Sequence, residues 1–177
     1  MNMLALRAVL AAALVGTGLS GCSLPHFDTC EGTEAAVAEL DQLPALELHP
    51  KGAVVVGGDP WSGAGCVDDT AGAWLTADRF YAYGGTRKEV VEYYGRAAPA
   101  AGWQPAGSLD RGLGLGFVVF CFESADRPSV TLSFTSPEKL REFYGTEPHP
   151  AELLGVDART LYSWSAEAET DGSRIDC

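Results

Sequence analysis

Basic residues are scarce in this sequence: 12 Lys and Arg stand against 24 Asp and Glu, for a formal net charge of −12. A surface this acidic repels nucleic-acid phosphates and anionic lipid headgroups, which excludes nucleic acid as a partner. Long apolar runs are missing too. The most sustained one near the amino terminus, Ala8 to Leu19, is 12 residues long and is interrupted by Gly16 and Gly18, where a membrane-spanning helix needs about 20 apolar residues. Histidine occurs three times, at His26, His49 and His149, outside every periodic segment, and no two cysteines form a C-x-x-C pair. That spacing argues against a zinc site. Neither a G-x-S-x-G elbow nor an H-E-x-x-H pair is present, so two common hydrolase signatures are absent. No catalytic residue, metal ligand or cofactor is assigned.

What the amino terminus does carry is a secretory grammar. Arg7 is the sole charge in the first 21 residues and precedes the apolar run, matching the n-region and h-region of a signal peptide. The run ends in Leu19-Ser20-Gly21-Cys22, which resembles the lipobox of bacterial lipoproteins. The resemblance implies that residues 1–21 are removed and that the Cys22 thiol takes a diacylglyceryl group as the first residue of the mature chain. It also implies a location on the outer face of the cytoplasmic membrane. Two acyl chains anchor stably, at about 0.8 kcal/mol per buried methylene, so the lipid on Cys22 needs no second membrane device. An ordinary secretory signal beside a cysteine is the alternative.

Loss of residues 1–21 would leave 156 of the 177 residues, with 11 Lys and Arg against 24 Asp and Glu, a net −13. We read residues 22–29 as a tether and 30–177 as one domain, long enough to bury a real core. The charge reads as solubility and standoff from the membrane. No sequence feature names a cationic partner.

Besides Cys22 there are four cysteines, Cys30, Cys66, Cys121 and Cys177. In an oxidising compartment an even number implies two disulfides, and three connectivities are open. Cys66 with Cys121 is favoured, because the first precedes and the second lies within one sheet, leaving Cys30 for Cys177.

Along the mature chain, Thr33 to Leu43 offers a capping threonine and apolar Ala36, Val37 and Leu40 at helical spacing, stopped by Pro44. Leu46, Leu48 and Gly52 to Val56 suggest an extended segment. Pro60 to Gly72 has the composition of a loop, with Asp68-Asp69 a solvated, turn-forming pair rather than a calcium loop or acid/base pair. Ala73 to Tyr83 reads as a strand of muddled alternation, with its register open. Thr86-Arg87-Lys88-Glu89 is a capping box. After it, Val90, Val91, Tyr94, Ala97, Ala98 and Ala101 form one apolar stripe. Pro99 should loosen the last turn, Gly102 should stop the helix, and Trp103 should plug its end.

The glycines from Gly112 to Gly116 lead into a strand, Phe117 to Glu123, and not into a helix. This fails the context of a dinucleotide loop and predicts a hairpin with a strand at Trp103 to Gly107. Phe117 to Phe122 is apolar on both faces, which predicts a central strand. Ser129 to Thr135 and Leu161 to Glu169 alternate as half-buried strands. Pro137 to Tyr144 is a candidate short helix, and residues 145–157 a proline-punctuated connection.

The run Glu89-Val90-Val91-Glu92-Tyr93-Tyr94 followed by Ala97-Ala98-Pro99-Ala100-Ala101-Gly102-Trp103 resembles a segment of small secreted lipoproteins of high-GC Gram-positive bacteria. The resemblance spans about residues 66–135. It implies a compact α+β domain in which a strand, a helix ending near Gly-Trp and further antiparallel strands follow in order, with a cysteine on a later strand, as Cys121 is.

The expected fold is therefore α+β. It has an antiparallel sheet of four to six strands, one principal amphipathic helix over about 86–102 on one face, and a short N-terminal helix. The favoured function is a non-catalytic envelope module, anchored to the membrane through Cys22 and binding another envelope protein or a small ligand. Two alternatives stand beside it. One is an apolar-ligand or lipid carrier with a cavity lined by Tyr81, Tyr94, Phe120 and Trp164. The other is a carboxylate-dependent hydrolase. The motif Gly63-Ala64-Gly65-Cys66 offers no nucleophile if Cys66 is paired.

Overall fold

The helix most strongly marked in the sequence begins where its cap places it. In the computed structural model, Glu89 N–H donates to Thr86 Oγ1 (3.3 Å), and Thr86 N–H donates back to Glu89 Oε2 (2.6 Å). These bonds hold the Glu89 carboxyl below its usual range, the backbone bond from Thr86 contributing most. The helix that follows Thr86 spans Arg87–Ala101. It buries Val90, Val91, Tyr94 and Ala98 and stops at Gly102, whose φ of 99° suits glycine. Pro99 lies inside the last turn without ending the helix.

The structure describes residues 29–56, 62–70, 72–109, 118–135 and 158–177. Residues 1–21, read from sequence as a signal, Cys22 and the expected tether up to residue 28 with His26, the Gly112 to Gly116 run, the candidate helix at Pro137 to Tyr144, the expected connection at 145–157 and His149 lie outside those residues. In chain order the elements are α1 Glu34–Asp41, a 3₁₀ turn Pro44–Glu47, β1 Val54–Val56, β2 Gly63–Asp69, β3 Gly72–Tyr83, and α2, the capped helix. Then come β4 Gln104–Pro105, β5 Val118–Glu123, β6 Ser129–Thr135 and β7 Thr160–Glu169. No described helix is long and apolar enough to cross a membrane.

The strands form one antiparallel sheet in the order β1-β3-β7-β6-β5-β4, with β2 also paired to β3. β1 and β2 lie end to end along the same side of β3, so seven strands occupy six positions. The chain leaves β3, crosses one face of the sheet as α2, and returns through the β4 to β7 meander to close on β3.

The expected four to six strands fell short because Pro60 to Gly72 read as loop. Yet Gly63 to Asp69 pairs with β3 residue for residue, from Gly63 with Asp78 to Asp69 with Gly72. A glycine-rich strand of low intrinsic propensity is held by its neighbour. β5 is not central, as its two apolar faces suggested. Only two-residue β4 lies outside it, and Val119 is 48% exposed.

β7, at the middle, buries Tyr162, Trp164, Ala166 and Ala168 on the helix side, as their alternation predicts. Leu75, Ala77 and Tyr81 of β3 share that face. So does Arg79, which explains the muddled pattern: its Nη1 pairs with Asp41 Oδ1 at 2.9 Å, and its Nη2 donates to the Asp41 carbonyl at 2.9 Å, gripping the end of α1. On the opposite face Phe80, Ala82, Val56 and Leu161 make a second, smaller cluster.

The core rings also anchor the connection from α1. Trp164 Nε1 donates to the Ala45 carbonyl (2.6 Å), Tyr81 to that of Leu46 (3.1 Å) and Tyr94 to that of Leu48 (2.7 Å). Residues read from sequence as extended thus begin with a 3₁₀ turn.

The disulfides are Cys30–Cys66 and Cys121–Cys177, with Cα separations of 5.6 and 6.0 Å. This corrects the favoured pairing. Cys66 sits opposite Leu75 on the helix side of β2, whereas Cys121 sits opposite Thr131 on the other face of β5. Four strand spacings separate them, about 19 Å, far beyond the reach of a bridge. Thr33 does not cap α1 with its side chain. Its hydroxyl donates to the Cys30 carbonyl at 2.9 Å, tying the helix start to the first bridge.

Proteolytic mapping without reduction should recover these two pairs. Removing either by paired Cys→Ala changes should lower the unfolding free energy by about 4 kcal/mol on the chain-entropy model. Burial raises the pKa of Tyr94 and Tyr162 and pushes that of Tyr81 up to about 12, Glu47 adding to the last. These three of the six tyrosines bind their protons more tightly folded than unfolded. Their contribution to stability is therefore complete below about pH 10 and is lost as pH rises beyond it. Urea midpoints should fall above pH 10, with tyrosinate absorbance from the buried rings appearing only as the chain unfolds.

Candidate functional site

Three separate pieces of chain meet at one end of the sheet. α1 contributes Ala36, Glu39 and Leu40, and its continuation adds Gln42, Leu43 and Pro44. The β5–β6 turn contributes Asp126, Arg127 and Pro128, and the end of β7 with its following turn adds Ala168, Asp171, Gly172 and Ser173. Between them lies a half-open groove of about 670 Å³, within the range of small-molecule clefts. Leu40, Leu43 and Ala168 form an apolar floor, and the carboxylates stand at the rim.

Each wall is tied back to the fold. α1 is held at its start by Cys30–Cys66 and at its end by Arg79. The β5–β6 turn is held by Arg127, whose guanidinium lies 3.7 Å from the centre of the Trp103 ring and whose Nη2 donates to the Ala101 carbonyl at 3.2 Å. Trp103 is fully buried at the end of α2, as a plug, and its Nε1 donates to the Pro128 carbonyl at 2.9 Å. The third wall turns at Gly172 (φ 83°). There Arg174 reaches across to the Ser124 carbonyl at 2.7 Å. A cleft whose walls are fixed before a ligand arrives loses little entropy on binding.

The rim charges differ in their engagement. Asp126 pairs with Arg127 at 3.5 Å. Asp171 takes hydrogen bonds from the Ser173 side chain and backbone, which hold its carboxyl below the usual range. Glu39 is exposed on α1.

A second feature lies on the opposite face of the sheet. Asp78 is opposite Ser165, and Glu167, two residues further along β7 and so on the same face, is opposite Thr76. Thr76 donates to Asp78 Oδ2 at 2.6 Å. Burial, and then the charge of Asp78, raise the Glu167 pKa. Glu167 also lines a hollow of about 230 Å³ beside Val119, Cys121 and Cys177.

Of the residues singled out in the sequence, Cys30, Cys66, Cys121 and Cys177 are all bridged. Cys66 therefore offers no thiolate. Asp68 and Asp69 are exposed at the end of β2 instead of in a loop. His49 is exposed, 5.5 Å from the Tyr81 ring. Tyr81, Tyr94, Phe120 and Trp164 are buried, and the Tyr94 and Trp164 rings lie 4.3 Å apart. They fill space against one another and against their neighbours, and neither described hollow is lined by them. Among the described residues no group of three or more His, Cys, Asp or Glu is placed to hold a metal.

The groove residues were not legible in sequence. Its members come from three distant segments, of which the sequence marked the helix carrying Ala36 and Leu40 but not its meeting with the other two. No protein-family model, characterised protein or solved structure matches the chain.

Arg127→Ala should lower stability by about 1–2 kcal/mol, through the lost ring contact and the lost bond to the helix end. Arg127→Lys should recover only part, because a planar guanidinium does both jobs at once. Urea unfolding followed by far-UV circular dichroism, with all tryptophans kept, measures both.

Proposed function

We propose that the protein is a membrane-anchored extracytoplasmic lipoprotein, a non-catalytic binding module held at the outer face of the cytoplasmic membrane by a diacylglyceryl group on Cys22. Its binding site is the groove between α1, the β5–β6 turn and the turn after β7. The observation that carries the binding reading is the groove itself, of small-ligand volume and with α1 braced to β3, the β5–β6 turn to the end of α2, and the turn after β7 to the Ser124 carbonyl. Two disulfides fit an oxidising compartment, and the lipobox supplies the anchor.

The carrier reading is less well supported, because the rings that would line its cavity pack against each other in the core. The hydrolase reading has one observation in its favour. Asp78 and Glu167 are neighbouring carboxylates on one sheet face, and burial and like charge favour the protonated form of Glu167. Environments that push two carboxyls apart suit acid/base work. That face carries only the smaller hollow, so the groove is the better site.

Intact-mass measurement on the membrane-extracted product from a Gram-positive host, beside a Cys22→Ala control, tests the anchor. The expected mass begins at residue 22, carries a diacylglyceryl group lost in the control, and rises by four hydrogens on reduction. An unmodified chain would sink the lipoprotein reading.

A further inference from the structure

We infer that the groove takes a small organic cation, an alkylammonium-type group carried on a short apolar body. The inference rests on the reading of the groove as the binding site and adds the chemical class of its ligand.

Among the described residues, four charged side chains border the groove, Glu39, Asp126 and Asp171 against Arg127. The one cation is already committed: Arg127 pairs with Asp126, stacks on Trp103, and bonds the Ala101 carbonyl and the Ser124 hydroxyl. Its charge therefore answers Asp126 and the negative end of α2 and leaves little for a ligand. Among the described residues neither Glu39 nor Asp171 has an ion-pair partner within the structure. The local field is negative over an apolar floor, and the chain's net charge of −12 has the same sign. A low-dielectric cleft lined by one sign of charge concentrates the opposite ion.

An anion would meet that field with no uncommitted cation among the described lining residues to receive it, and a neutral apolar ligand would gain from the floor but not from the rim. A cationic head with a short apolar body uses both. The half-open shape and the volume of about 670 Å³ favour a small molecule over an extended chain.

Isothermal titration calorimetry of the full chain in neutral detergent, against a micelle-only blank, tests this with butyltrimethylammonium, hexan-1-ol, hexanoate and a lysine-bearing octapeptide. Three variants accompany it. Glu39→Lys reverses a rim charge, Glu92→Lys makes the same change on the exposed side of α2, and Gln42→Trp fills the groove from an exposed lining position. Circular dichroism confirms that each is folded. The expected result is saturable binding of butyltrimethylammonium alone, weakened about tenfold by Glu39→Lys, changed less than about twofold by Glu92→Lys, and abolished by Gln42→Trp.

Hexan-1-ol or hexanoate binding as tightly, and blocked by Gln42→Trp, would overturn the cationic class while keeping the groove as the site. Binding of the octapeptide without the small cation would overturn the small-molecule class in favour of a protein partner. No heat that Gln42→Trp removes, from any probe, would overturn both the inference and the groove reading.

Discussion

Three ring donors and three carbonyls hold this structure in register. The Pro44–Leu48 segment presents the carbonyls of Ala45, Leu46 and Leu48 to Trp164, Tyr81 and Tyr94. Each side needs the other, because a buried indole N–H or phenol without a partner costs about as much as an orphaned backbone carbonyl. The rings can therefore be fully buried only with this segment lying over them. Once it does, α1 is fixed above β3, where Arg79 can reach its end and Cys66 its beginning. The first wall of the groove follows from that placement.

The second wall repeats the solution with different groups. Few cations are available to this chain, and three of its arginines are spent on backbone carbonyls: Arg79 on Asp41, Arg127 on Ala101 and Arg174 on Ser124. Two of those carbonyls close a helix, where a cation also meets the negative end of the dipole. Arginines used in this way brace the fold, and they leave carboxylates such as Glu39 and Asp171 uncompensated at the surface. The acidic rim of the groove and the rigidity of its walls thus share one cause.

Local signals made much of the fold readable. Thr86 and Glu89 fixed the start of α2 and Gly102 its end, because those contacts are made within one turn. β6 and β7 were readable because one face is core and the other is not. The unreadable parts depend on partners distant in sequence. Gly63-Ala64-Gly65 has the composition of a loop and becomes a strand only because β3 lies alongside. Arg79 looked like a break in alternation because its partner, Asp41, belongs to another element. Disulfide pairing depends on which face a cysteine occupies, and a count of cysteines carries no such information. The groove was the least readable feature, since Ala36, Arg127 and Gly172 approach one another only after the sheet has closed.

Where the core is filled by its own rings, a ligand is met at the surface, and the groove is the cleft built there. Cys30 stands eight residues beyond Cys22, a span of at most about 29 Å fully extended, and the bridge to Cys66 fixes it at the start of α1. On the proposed lipoprotein reading, the groove is thus held within a short tether's reach of the membrane. The acidic domain is pushed outward from anionic headgroups, while small cations gather in the same interfacial layer within about one Debye length. On that reading tether length and domain charge act together to hold the domain off the lipid, and the negative groove draws small cations from the layer in which they gather.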